Sequence, residues 1–495
     1  MTATIIFKGQ HTAPEVFEQG CQRARAALQA AGVGPGDVVA LMLRNEPLTL
    51  ELMVAVRAMG AQWCPVNWHF KTDEVAYMVA DSGARVFIVD GALLAGLPGL
   101  SLQGLQTWVV PVEGAPSNLP SWPALRDAAA AEPTPPAPLR GAMFYTSGTT
   151  GRPKGIQRAA ATPEQAAKGQ AVMRHVLGFE AGMRALLSAP LYHSAPNSYG
   201  IAAAQEAELL VLEPRFDAER TLALIEEHRI THAYLVPTMY VRLLRLPPEV
   251  RQRYDLRSMR YVASTGSPCP PDVKRAMIAW WGPVIHEAYG SSELGYMTRL
   301  DSEQALRKPG SAGPPLPGVT LAILDGDGRP QPSGRAGSIY VHQPAFADFT
   351  YIGNDASRQR MERDGLKTLG DVGFLDEDGF LFIVDRAADM VISGGVNIYP
   401  AEIEAVLHGM PGVADCAVFG VPDTEFGEAL MAAVQPEPGA DVQATAVQAF
   451  LKARLADYKV PRQVVLHAQL PREDTGKVFK RKLREPYWAG MSRRV

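Results

Sequence analysis

The chain lacks any stretch of about 18 consecutive uncharged, apolar residues, the length a transmembrane helix needs, so no membrane span is expected. It also lacks a dominant charge: 48 Lys plus Arg stand against 52 Asp plus Glu, a formal net charge of −4. Without a global basic field, neither nucleic acid nor an anionic membrane is the expected partner. Cysteine is scarce. The four present, Cys21, Cys64, Cys269 and Cys416, lie far apart and form no CxxC pair. That spacing offers neither a zinc site nor a redox dithiol, and it fits free, buried thiols in a cytoplasmic protein. The first residues, MTATIIFKGQ, lack the charged segment, apolar core and cleavage site of a signal peptide. No solenoid-type repeat is present.

What is present is the make-up of a globular protein: 47% hydrophobic and 20% charged residues over 495 positions. At roughly 100–200 residues per domain, about two to four structural units are expected. Pro14 to Ala31 reads as an amphipathic helix, with Pro14 in its first turn and Gly32 as its stop. Val38–Leu43 reads as a buried strand, Leu48–Met59 as a helix and Arg85–Asp90 as a strand. This alternation predicts parallel βαβ units. Eight prolines between Pro111 and Pro138 mark a surface connection leading to a strand at Ala142–Tyr145. Helix Ala218–His228 and strands Ala233–Leu235 and Tyr261–Ala263 continue the α/β pattern. From Gly310 to Tyr351, Gly/Pro punctuation around Thr320–Leu324 and Ser338–Val341 predicts a small β-rich subdomain. After Asp385-Arg386 a compact last unit is expected. It has a helix from Pro400, a strand Asp415–Phe419, a helix Val442–Leu455 and a strand Gln463–Leu466.

The most specific segment is Tyr145-Thr-Ser-Gly-Thr-Thr-Gly-Arg-Pro-Lys-Gly155, with three glycines, four hydroxyl side chains and one lysine. Glycines let backbone N–H groups approach an anion closely, hydroxyls add donors, and Lys154 supplies charge for a polyphosphate. It is not a Walker A loop, because Pro153 stands where that pattern needs glycine before its lysine. A plain solvated Ser/Thr/Gly loop is the competing reading, but this residue order is uncommon.

In these residues the chain resembles the adenylate-forming superfamily of acyl-CoA synthetases, luciferases and peptide-synthetase adenylation domains. Further matches follow in that family's order: Pro190-Leu-Tyr-His193, Tyr289-Gly-Ser-Ser-Glu293, and Thr368-Leu-Gly-Asp371 with one residue inserted. Asp385-Arg386, Gly394-Gly395 and Gly476-Lys477 complete the series, so the resemblance spans essentially the whole chain. It implies an α/β fold: a large N-terminal domain (1–385) of two βαβ-layered subdomains plus a β-barrel-like one. A small, mobile C-terminal α+β domain (386–495) would follow.

The implied reaction is ATP-dependent activation of a carboxylic acid to an acyl-adenylate. Thioester formation with coenzyme A then releases AMP and pyrophosphate. A carboxylate must approach a polyanion, and each like-charge pair near 4 Å costs roughly 4 kcal/mol at an effective dielectric of about 20. Positioning and neutralising cations are therefore the expected means of catalysis. By resemblance, Thr146, Ser147, Gly148, Thr149, Thr150 and Lys154 cradle the phosphates, and Glu293 holds Mg²⁺. Ser292 keeps the hydroxyl of the family's usual threonine. Tyr289, with Gly290 beside it, stacks on adenine, and Gly266-Ser267-Pro268 passes along the base. Asp371 accepts from the ribose hydroxyls, and Arg386 contacts ribose or phosphate. Lys477 bridges the acid carboxylate and the α-phosphate. Alone, a lysine in the basic run Lys477–Arg484 reads as a solvated charge. The other motifs in register favour catalysis.

His193 is either a gate to the acid pocket or a packing histidine. His228 and His232 have i, i+4 spacing, but Arg229-Ile230-Thr231 lacks a zincin glutamate, so a helix-end pair without metal is expected. In the family the small domain rotates after adenylate formation, and the Gly394-Gly395 loop helps form the pantetheine channel. Ala388 stands where the family's hinge has Asp or Lys, so rotation with altered rates is expected.

The chain runs only from Val478 to Val495 after Lys477, with no carrier domain, which disfavours a peptide-synthetase fragment. A free-standing ligase loading a separate carrier protein is the main alternative. A catalytically impaired nucleotide- or acyl-binding protein is the other. The segments expected around the acid (Pro190–His193, Val236–Tyr240, Ser264–Ser267, Tyr289–Tyr296) carry no Arg or Lys, which favours a hydrophobic monocarboxylic acid, aryl or fatty. Oligomeric state stays open, many superfamily members being dimers.

Overall fold

The computed structural model describes residues 1–130, 140–146, 153–386, 389–393, 396–423, 426–472 and 478–489. It is α/β and divides into two compact units. One comprises Met1–Val319 and Gln343–Glu362, the other Thr320–His342 and Arg363–Val495. The expected division after residue 385 falls inside the second unit. There, strands Asp371–Leu375 and Leu381–Arg386 pair into the sheet that contains Gly337–His342.

Two parallel sheets carry the first unit. In one, Val38–Met42 lies between Gln62–Pro65 and Ala84–Asp90, with Gln106–Val110 beyond. Val38–Met42 is buried at every residue, so its sequence is a continuous apolar run rather than an alternating one. Helix Thr72–Asp81 inserts Val75 and Met78 into the same core as Phe87 and Met143. The other sheet has eight strands. Their order is Gly295–Leu300, Ile285–Ser291, Tyr261–Ser264, His232–Tyr234, Arg184–Leu187, Leu209–Leu212, Thr4–Phe7 and Gln10–Thr12. Only the two edge pairings are antiparallel. Helix Pro271–Trp281 is tied to strand Ile285–Ser291 by a buried ion pair, Lys274 with Glu287, the side chains 5% and 11% exposed. Burial raises the Glu287 carboxyl above its usual range and Lys274 opposes the rise. Losing one partner of such a pair costs about 3–5 kcal/mol, so the pair holds in place the strand that leads to Glu293.

Two sequence expectations change here. The proline-rich segment is not all connection, for Trp122–Ala128 is a helix. Pro123 is tolerated in its first turn, Ser121 Oγ accepts from Ala124 N–H, and Trp122 is wholly buried. Arg126 Nη1 then pairs with Glu51 Oε2 at 2.7 Å. The strand expected at Ala142–Tyr145 is only Tyr145–Thr146. The preceding backbone is satisfied outside a ladder, Met143 N–H donating to Trp63 O and Phe144 O accepting from Ile156 N–H, both at 2.8 Å. Tyr145–Thr146 joins Lys154–Arg158 and Phe349–Tyr351 in a small antiparallel sheet.

The second unit holds two sheets. Thr320–Leu324, Gly337–His342, Asp371–Leu375 and Leu381–Arg386 pair antiparallel, placing Asp371 opposite Arg386. The other sheet is built on the long hairpin Val413–Asp423 and Gly427–Pro436. Its two-residue period buries both faces. Val418, Leu430, Ala432 and Val434 pack with Ile403 of helix Pro400–Leu407 and Val447 of helix Ala444–Lys452. Ala417, Phe419, Met431 and Ala433 pack with Leu483 of helix Lys480–Trp488 on the opposite face. All four cysteines are buried free thiols, and no described helix is long and apolar enough to cross a membrane.

Candidate active site

Four parallel strands of the large sheet, Arg184–Leu187, His232–Tyr234, Tyr261–Ser264 and Ile285–Ser291, end on one edge. In open α/β sheets ligand crevices form beyond such carboxyl ends. The segments that continue from them carry His193, Val236–Tyr240, Gly266-Ser267-Pro268 and Tyr289 to Glu293. At Gly290 a side chain is excluded, because a Cβ would lie 2.7 Å from the Gly295 carbonyl oxygen. This is where the register shifts between Tyr289 and Gly290.

Glu293 is the focus. It is 8% exposed. Its Oε1 accepts from Thr146 Oγ1 at 3.0 Å and from the Tyr351 hydroxyl at 3.2 Å. Burial, reinforced by Glu293, raises the Tyr351 phenol above its ordinary value and keeps it a donor. The second carboxylate oxygen takes no hydrogen bond from a described residue, and no described lysine or arginine forms an ion pair with Glu293. Lys154 Nζ lies 5.3 Å from the Tyr351 ring centroid. Ser292 Oγ donates to Ser194 Oγ at 2.9 Å, which brings the start of helix Ser194–Glu206, and with it His193, beside this turn.

The glycine-rich segment is anchored at both flanks by one helix, Thr72–Asp81. The Tyr145 hydroxyl donates to Asp81 Oδ2 at 2.7 Å, and the Tyr77 hydroxyl donates to Pro153 O at 3.0 Å. The two rings meet edge to face, 6.5 Å between centroids. Both described flanks of the segment are thus fixed to the same helix.

Residues 2–348 match the AMP-binding enzyme family, and residues 402–477 match the AMP-binding enzyme C-terminal domain. The chain belongs to this family. Among its relatives is a feruloyl-CoA synthase from Amycolatopsis sp, 34% identical, with 94% of this chain and 92% of the relative covered. Another is a long-chain-fatty-acid–CoA ligase from Mycobacterium tuberculosis, 33% identical over 94% of this chain and 91% of the relative. A solved structure of o-succinylbenzoate coenzyme A synthetase from Bacillus subtilis, in complex with ATP and magnesium ion, superposes with a TM-score of 0.84. It is 27% identical and covers 97% of this chain and 96% of that one. Within the adenylate-forming superfamily the chain falls among the AMP-forming acid–CoA ligases.

In this AMP-binding enzyme, Thr146, Lys154, Ser292 and Glu293 converge, and Tyr289, Gly290, Gly266, Ser267, Pro268 and His193 lie at the same sheet edge. Asp371, which is buried, belongs to the second unit, as does the strand residue Arg386. Ser147, Gly148, Thr149, Thr150, Gly394, Gly395, Ala388 and Lys477 lie outside the described residues. Sequence reasoning missed Tyr351, Arg158, Tyr77 and Asp81. Arg158 alone left a local signal, four residues beyond Lys154 on one strand. Of the basic run after Lys477, Lys480 is no solvated charge. Burial pulls its ammonium down, but Glu404 at 2.9 Å, with Asp385 and Asp389, outweighs that and holds its pKa above the ordinary value. His228 closes helix Ala218–His228 and His232 opens the next strand.

Burial lowers the His193 imidazole to about 4, and its Nε2 is buried without a hydrogen-bond partner among the described residues. An unfolded-state histidine titrates near 6.5, so between about pH 6.5 and 4 the unfolded chain binds the proton and the folded one does not. His193 therefore subtracts stability as pH falls through that window and contributes nothing above it. The denaturant midpoint of His193→Phe is expected to fall less than the parent's between pH 6.5 and 4. Parallel midpoints for the two proteins would place His193 in solvent.

Proposed function

We propose that this enzyme joins a hydrophobic monocarboxylic acid, aryl or fatty, to coenzyme A through an acyl-adenylate, releasing AMP and pyrophosphate. The observation that carries the reading is the buried Glu293 carboxylate, with one oxygen held by Thr146 and Tyr351 and the other taking no hydrogen bond from any described residue. A hard carboxylate oxygen beside a phosphate loop fits Mg²⁺, which typically takes one or two carboxylates plus substrate phosphates. Such an ion, when bound, offsets the charge of the reacting phosphates.

The chain's own residues do the rest. Thr146 to Thr150 and Lys154 hold the phosphates, the ends of that loop being fixed by Tyr77 and Asp81. Tyr289 and Gly266-Ser267-Pro268 hold adenine, while Asp371 and Arg386 hold ribose. Lys477 bridges the two reacting groups, and the Gly394-Gly395 loop admits the thiol. His193, neutral at physiological pH, borders the acyl group. The absence of Arg and Lys from the acid-side segments and the names of the two relatives above support a monocarboxylic aryl or fatty acid.

The test is turnover with ATP, Mg²⁺ and a panel of benzoates, cinnamates and fatty acids, with and without coenzyme A, read by mass spectrometry. Acyl-CoA and AMP from one of these acid classes are expected. An adenylate that accumulates despite coenzyme A would move the acceptor to a carrier protein. Turnover confined to dicarboxylates or amino acids would overturn the substrate class.

A further inference from the structure

Arg158 belongs to no motif, yet it joins three backbone segments at the site. It shares with Lys154 the strand Lys154–Arg158, and residues four apart on a strand point to the same face. Its Nη1 donates to the carbonyl oxygen of Ala347 at 2.7 Å. Its Nη2 donates to two more, Ser292 O at 2.8 Å and Glu293 O at 2.6 Å. The guanidinium carbon lies 6.0 Å from the centroid of the Phe346 ring. Among the described residues no carboxylate lies within ion-pair distance of Arg158; its hydrogen bonds go to peptide carbonyls, while the Glu293 and Asp348 carboxylates attract its charge from farther away.

The carbonyls of Ser292 and Glu293 belong to the two peptide planes that flank the Glu293 Cα. Gripping both restricts the backbone torsions of Glu293 and hence the direction of its Cα–Cβ bond. The grip comes from the strand that bears Lys154. We propose that Arg158 is a positioning residue for Glu293, setting the aim of its carboxylate relative to the phosphate-binding strand. This rests on the reading of Glu293 as the magnesium ligand. A lysine cannot replace Arg158, because an ammonium is a point donor, whereas the planar guanidinium spans carbonyls on separate segments.

The experiment compares the parent, Arg158→Gln, Arg158→Lys and Glu293→Gln, all checked for folding by circular dichroism. ATP affinity is measured calorimetrically with and without MgCl₂, and acid-dependent ATP–pyrophosphate exchange is followed alongside. Loss of a group that orients a metal ligand typically weakens metal affinity or activity by about 10- to 100-fold. In Arg158→Gln the gain in ATP affinity on adding Mg²⁺ is expected to fall about tenfold or more, with the KM for the acid within about twofold of the parent. Arg158→Lys is expected to recover only part of it. A folded Arg158→Gln with the parent's Mg²⁺ effect overturns the inference, provided Glu293→Gln loses that effect. If Glu293→Gln keeps it as well, the metal reading falls and the inference with it. If Arg158→Gln does not fold, Arg158→Lys decides by the same criterion. Failure of both to fold makes Arg158 a scaffold residue and overturns the proposal.

Discussion

Replacing Lys477 with alanine is expected to lower acid-dependent ATP–pyrophosphate exchange by about 10²- to 10³-fold, the usual loss for one charge-stabilising donor. Thioester formation from a supplied acyl-adenylate and coenzyme A should stay near the parent rate. The asymmetry follows from the chemistry. In the first half-reaction a carboxylate approaches the α-phosphate, and each like-charge pair near 4 Å opposes it by roughly 4 kcal/mol at an effective dielectric of about 20. An ammonium touching both partners removes most of that repulsion at the moment it is greatest. In the second half-reaction a thiol attacks a neutral acyl carbon and AMP leaves, so no polyanion has to be approached. Lys477→Arg keeps the charge but presents a planar fork where a point donor is needed, and only partial recovery is expected. Exchange at the parent rate in folded Lys477→Ala would falsify the assignment, which rests on Gly476-Lys477 standing in the family's motif order.

How much of this was legible in the sequence depends on the range of the interaction concerned. Val38–Met42 could be read because a strand covered on both faces is apolar throughout. The helix Ala218–His228 was expected from the sequence, and the structure adds its cap, Asp217, whose side chain accepts from Arg220 N–H at 2.8 Å. Glu293 and Thr146 each sit in a motif, but nothing local says that they meet across 147 positions. Tyr351 left no signal, because its place beside Glu293 comes from Phe349–Tyr351 pairing with Lys154–Arg158, a contact between distant segments. Helix Trp122–Ala128 was hidden by its composition. Proline count argues for a loop, whereas proline position, in the first turn after a serine cap, permits a helix. The division of the chain can be drawn in two ways. Motif order marks Asp385-Arg386, but strand pairing joins Asp371–Leu375 to Leu381–Arg386 and keeps both in one unit.

Glu293→Gln carries the second large expectation, and it has two parts of opposite sign. Exchange activity should fall by about 10²- to 10³-fold, because the amide keeps the shape but removes the charge that draws the metal. The glutamine Oε1 can still accept from Thr146 and Tyr351, so the local hydrogen bonds survive and the loss reports charge rather than collapse. Without nucleotide, the same substitution should leave the melting temperature unchanged or raise it. An amide of the same shape keeps both hydrogen bonds and is cheaper to bury than a charged group, so the substitution removes no contact the fold depends on. Adding ATP and Mg²⁺ should then reverse the ranking, since the parent gains stability by ligand linkage that the variant has lost. Scanning calorimetry with and without MgATP, run beside the exchange assay, reads both parts. A variant that melts well below the parent in the absence of ligand, yet still exchanges, would make Glu293 a structural acid. The opposite pattern is that of a group kept in a costly position because the reaction needs its charge there.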